Sequence, residues 1–148
     1  MKGLCGVALV ALANLFMAAC AQPSLQPSAA QILSELSKRS GLPTKSLEPM
    51  LADCDADQQN MYFCAYRDCV AADLELNATV ASLSVPACKA ALAAEVSKFR
   101  ATRQAECAKA ASEEYAGGSM EPTAQAMCVA SRTQEMIERA KQSSCAAP

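Results

Sequence analysis

Residues 61–83 read MYFCAYRDCVAADLELNATVASL, and the fold turns on how this stretch is read. Tyr62, Ala65, Cys69, Ala72, Leu76, Val80 and Leu83 recur every three or four residues. That is the period of one buried face of an α-helix, not the alternation of a strand. A long helix is expected from about Asp57 to Leu83. Ser84-Val85-Pro86 breaks it, because proline lacks the amide donor and biases the residue before it away from helix.

Working outward, a second long helix is expected from about Ala87 to Tyr115, with Leu92, Val96, Phe99, Arg103 and Ala110 on its stripe. Gly117-Gly118 supplies a helix C-cap. Pro122 suits the first turn of a third helix running to about Lys141. Short connections make chain neighbours antiparallel. Upstream, Ser28 and Gln31 have capping-box spacing and open a short helix carrying Ile32, Leu33 and Leu36. Gly41 and Pro43 stop that helix, and Ser46 to Leu51 adds a turn in which Pro49 is tolerated near the start. This N-terminal pair reads as a docking appendage. The expectation is an all-α chain: a disulfide-stapled antiparallel three-helix bundle with a short N-terminal helical extension. Its parts are a leader (1–19), a tether (20–28), the extension (29–53), the bundle (54–142) and a tail (143–148). Aromatic residues make up 4% of the chain, so the core is thin and staples would compensate for it.

The leader reads as an export signal: Met1-Lys2, an uncharged apolar run from Gly6 to Met17, then the small residues Ala18-Ala19-Cys20-Ala21. The apolar run is too short for a permanent membrane span. Two processing routes are open. Met17-Ala18-Ala19-Cys20 resembles a lipoprotein box, making Cys20 the lipidated N-terminus, anchored to the membrane and placed in the periplasm at the outer membrane. Ala19-Cys20-Ala21 also fits an A-x-A site, giving a soluble periplasmic or secreted chain. Losing Lys2 with the leader takes the net charge from −2 to −3. That mild acidity disfavours nucleic acid and suits a basic protein partner.

An exported chain meets an oxidising compartment, so its nine cysteines point to disulfides rather than metal. Cys54, Cys64, Cys69, Cys88, Cys107, Cys128 and Cys145 remain after processing, an odd number. If the second and third helices turn about residue 118, Cys107 faces a position next to Cys128. The same register brings Cys145 near Cys88. The first hairpin's register also brings Cys64 close to Cys107, so that rival pairing stays open. Cys69, on the buried stripe, is the candidate free thiol and acts there as a small hydrophobe.

Three motifs in order resemble the LprI-type lysozyme-inhibitor domain over Cys54 to Ala140. They are Cys64-Ala65 with Ala72-Asp73-Leu74-Glu75-Leu76-Asn77, then Leu92, Phe99, Arg103 and Glu106-Cys107, then Tyr115-Ala116-Gly117-Gly118-Ser119-Met120 with Pro122, Cys128 and Thr133. Phe99 stands where the family has Trp, Gln104 for Asp, Val80 for Tyr and Met136 for Arg. The resemblance implies the helical fold, the bridges Cys54–Cys64 and Cys107–Cys128, and inhibition of a lysozyme by protein–protein binding.

From the residues themselves, Asp73 and Asn77 share a helix face and read as a hydrogen-bonded lock. Arg100, Arg103 and Glu106 read as a salt-bridged surface. The candidate partner surface is the turn Gly117, Gly118, Ser119 and Met120, flanked by Glu113, Glu114 and Glu121, an acidic probe for lysozyme or another basic envelope protein. With no His, no Ser–Lys constellation and no metal-ligand spacing, no activated nucleophile, cofactor or small-molecule substrate is indicated. Without the resemblance, an envelope interaction module fits the same features.

Overall fold

The computed structural model describes residues 25–143. The expected leader, the lipidation position Cys20 and the tail with Cys145 lie outside the described residues. Five α-helices follow in order: α1 (Ala29–Ser40), α2 (Thr44–Ala52), α3 (Gln58–Ala81), α4 (Pro86–Tyr115) and α5 (Glu121–Gln142). Among the described residues there is no strand, and no helix is long and apolar enough to cross a membrane.

Local chemistry sets the helix ends. Ser28 Oγ accepts from the Gln31 amide at 3.2 Å while Gln31 Oε1 accepts from the Ser28 amide at 2.8 Å, a complete capping box. Asp57 caps α3 by accepting from the Asn60 amide at 2.7 Å. Pro86 and Pro122 sit in the first turns of α4 and α5, where a missing amide proton costs nothing.

α3 is the central helix. Cys69 belongs to an apolar cluster with Cys107 and Val129. Leu76 packs with Leu92, Val96, Met136 and Ile137. Phe63 and Val70 face a different way and pack with Leu36 and Leu47. The seven-residue stripe read from the sequence is therefore one part of a broader buried surface, because α3 is covered from two sides.

The second covering corrects the appendage reading of the N-terminal pair. Leu36 of α1 and Leu47 of α2 are fully buried, and Arg39 of α1 reaches Asp73 on α3. The extension is part of the core because α3 has apolar side chains that the three-helix bundle leaves uncovered.

α3 and α5 run parallel and form the most extensive contact, while α4 lies antiparallel on α5. α3 buries Ala65, Ala72 and Thr79, and α5 buries Thr123, Ala126, Thr133 and Ala140. Small side chains let helix axes come close. Chain neighbours α3 and α4 touch far less. Long side chains, chiefly Arg100 and Arg103, bridge their seam. The α4 stripe also differs from expectation at its C-terminal end. Ala110 is exposed, and the buried face runs on from Arg103 through Cys107 and Ala111, four residues apart.

Candidate functional site

The α4–α5 connection is a tight turn. α4 ends at Tyr115, and the left-handed conformation starts one residue earlier than the glycines, at Ala116 (φ 46°), and continues at Gly117 (φ 81°). At Gly118 the constraint is space: a side-chain carbon there would stand 2.9 Å from the Tyr115 carbonyl oxygen. The Gly118 amide donates to that oxygen at 2.8 Å, and the Glu121 amide donates to Gly118 O at 3.0 Å.

One turn of helix or more behind this tip, Cys107 and Cys128 are bridged across α4 and α5 with their Cα atoms 5.6 Å apart. Cys54 and Cys64 are bridged at 5.8 Å, tying the α2–α3 loop to α3. Cys88 is disulfide-bonded as well, and its expected partner Cys145 lies outside the described residues. Cys69 is free and buried. Burial pushes its thiol pKa up, and the nearby Asp73 charge adds to that.

The three glutamates around the turn are not equivalent. Glu121 Oε2 accepts from the Gly117 amide at 2.7 Å, so its carboxylate locks the turn. Glu113 lies 3.7 Å from Lys109 on the exposed side of α4. Glu114 is exposed, and its hydrogen bond with the Tyr115 hydroxyl raises the phenol pKa. Ser119 is exposed and Met120 half-buried. The tip therefore offers one hydroxyl, one partly covered thioether and two outward carboxylates.

Beside this tip is a cleft of about 220 Å³ between α3, α4 and α5. Tyr62, Tyr66, Cys69, Gln104, Pro122 and Gln125 are on its wall. The Tyr62 and Tyr66 rings stack with centroids 5.8 Å apart. Sequence reasoning missed this aromatic pair as a surface feature. Its i, i+4 spacing at the start of α3 was the available signal. Gln104, a departure from the family pattern, is exposed on this wall.

A second constellation lies inside the bundle. Arg103 Nη1 donates to Asp73 Oδ1 at 2.9 Å and also to Thr133 Oγ1. Thr133 in turn donates to Val129 O at 2.6 Å. Arg39 Nη1 donates to Asp73 Oδ2 at 2.8 Å. Arg100 Nη2 donates to Asn77 Oδ1 at 2.8 Å, with its Nε 3.7 Å from Asp73 Oδ1. The Arg103 guanidinium sits 5.3 Å from the Phe99 ring centroid. Burial raises the Asp73 pKa, but the hydrogen bonds from Arg103 and Arg39 outweigh it and hold the carboxyl below its ordinary value.

This geometry corrects the surface reading for Arg103, while Arg100 is half-buried and Glu106 stays on the surface as expected. Arg103 and Asp73 are each 6% exposed. Glu106 instead faces Arg132 across α5 at 3.9 Å, out in solvent. Asp73, Asn77, Phe99, Arg103 and Thr133, all motif positions, meet at one place. They hold α3, α4 and α5 together, and Arg39 ties α1 to the same node through Asp73, so the motif is a signature of the fold before it is one of contact.

Comparison with known proteins gives one match. A family model described as lysozyme inhibitor LprI matches residues 52–139. No curated protein and no solved structure matches.

Proposed function

Because the chain belongs to the LprI lysozyme-inhibitor family, we propose that it is an exported cell-envelope protein that inhibits a lysozyme by binding it, and that it is not an enzyme. The family match carries this reading. The α4–α5 end of the bundle is the surface assigned to the target. Its turn is held by Glu121 and stapled behind by Cys107–Cys128, so little ordering cost remains to be met on binding. Ser119 and Met120 contact the target at the tip. Glu113 and Glu114 lie at the rim and steer a basic protein toward it. The cleft beside the turn, with Tyr62 and Tyr66, extends the surface with aromatic side chains of the kind enriched in binding hot spots.

Anchoring through a lipidated Cys20 belongs to the same proposal. It would hold the inhibitor at the outer membrane, where an incoming muramidase meets the wall.

The test is a turnover assay with a basic c-type lysozyme and the purified chain, disulfides intact. Slowed lysis that weakens as salt rises supports the proposal, since a steered encounter is screened over about 10 Å at 0.1 M salt. Unchanged lysis at tens of micromolar inhibitor refutes it and leaves an envelope interaction module in its place.

A further inference from the structure

The seam between α3 and α4 is open. Where α5 draws close to both helices through small residues, α3 and α4 stay apart and leave a groove of about 380 Å³. Its floor is Val80, Ala81, Ala93 and Val96. Its polar groups are Asn77 and Arg100 at one end, Ser97 beside them, and Lys89 at the other. No acidic residue lines it. Asp73 lies behind Arg100, 3.7 Å from its Nε, and is already bound by Arg39 and Arg103. Lys89 makes no ion pair among the described residues. On α4 the groove residues Lys89, Ala93 and Ser97 are exposed.

We infer that the α3–α4 groove is a docking site for an acidic peptide segment of a partner protein, separate from the turn assigned to lysozyme. The charge arrangement is the reason. Two cations stand at the ends of an apolar floor with no acid between them, so the complementary occupant carries carboxylates at its ends and apolar side chains in the middle. Lys89 and Arg100 are eleven positions apart on α4, about 16 Å at a rise of ~1.5 Å per residue. An extended chain at ~3.3 Å per residue covers that distance in about five residues. Asn77 and Ser97 offer hydrogen-bonding groups to the backbone of such a segment. Because the groove uses none of the turn residues, this inference stands or falls independently of lysozyme inhibition.

The probe is acetyl-EVAVE-amide, titrated into the full chain with its disulfides intact and followed by amide NMR. Shifts at Asn77, Ala81, Lys89, Ala93 and Ser97 are expected, with saturable binding. The neutral acetyl-QVAVQ-amide should bind at least about tenfold more weakly, the loss of a charge-assisted contact at each end. Lys89→Glu should weaken the acidic peptide by a similar factor with an unchanged melting curve. Lys98→Glu, exposed on α4 but outside the groove, should leave binding as it was. Equal binding of the two peptides, equal effects of the two lysine variants, or no shifts at millimolar peptide would each overturn the assignment. Binding to phosphatidylglycerol vesicles with no peptide shifts would overturn it in favour of a membrane-facing surface.

Discussion

Arg103 of α4 and Asp73 of α3 form a 2.9 Å charge-assisted hydrogen bond in which both side chains are almost wholly withdrawn from solvent. Two buried opposite charges stabilise little beyond what an apolar pair would, because desolvation offsets their attraction, but removing one partner strands the other. Asp73 binds the arginines of α1 and α4, so its removal strands more than one of them. Asp73→Ala should therefore lower stability by about 3–5 kcal/mol. Chemical denaturation of the variant against the parent chain measures this, and a loss below 1 kcal/mol would contradict the buried network.

The same node sets an acid limit. The folded Asp73 carboxyl titrates below its ordinary value of 3.8, so its contribution is present above that pH. It is lost as pH falls below 3.8 through the depressed folded value. Thermal melts should be flat in this contribution from neutral pH down to about pH 5 and fall below 3.8. Asp73→Asn should abolish that part of the acid slope.

Cys69 should react slowly with iodoacetamide in the folded chain and promptly after unfolding. It is 7% exposed, with its pKa raised by burial, so the thiolate is scarce at neutral pH. Peptide mapping after a short pulse of reagent reads this directly. Fast modification of the native protein would mean that the cleft admits solvent to the thiol.

Removing the Cys107–Cys128 bridge by paired serine substitution should cost about 3 kcal/mol, the chain-entropy value for closing a loop of this size. It should also loosen the turn beyond it. A larger loss of inhibition than of stability is expected at a temperature where the variant remains folded.

At the turn itself, Ser119→Arg with Met120→Glu should reduce inhibition without shifting the melting curve, because Ser119 is exposed and Met120 only half-buried. Glu121→Gln should behave differently. It weakens the bond to the Gly117 amide, so it should raise the turn's amide exchange and weaken inhibition together, through the ordering cost that a looser turn adds to binding. Inhibition indifferent to all three changes would move the contact surface elsewhere while leaving the fold untouched.

Much of this architecture is legible in the sequence because its signals are local. The stripe from Ala65 to Leu83, the Ser28–Gln31 cap, Pro86, Pro122 and the paired glycines each act within a turn or two of the residues they govern. The α4–α5 turn itself, though not any role for it, is legible for the same reason. What escaped reading is non-local. Arg39 and Asp73 are 34 positions apart, and a charged residue on a predicted helix reads as solvated until its neighbours are known. The N-terminal pair reads as an appendage from sequence because nothing in Leu36 or Leu47 says that Phe63 and Val70 lie uncovered on another helix. The cleft beside Tyr62 and Tyr66 needs three helices in register before it exists.

The odd thiol has a consequence for biogenesis. In a chain delivered N-terminus first into an oxidising space, cysteines emerge in the order 54, 64, 69, 88, 107, 128, 145. Pairing by order of arrival would join Cys54 to Cys64 and then Cys69 to Cys88. The finished protein keeps the first of these bonds but leaves Cys69 reduced and Cys88 bonded elsewhere. If the chain is exported as proposed and pairs in that order, maturation would need either a delay in oxidation until α5 has arrived to cover Cys69, or a catalyst that shuffles the premature bond. Yield in a host lacking disulfide isomerase activity should fall, and Cys69→Ala, by deleting the competing nucleophile, should restore it.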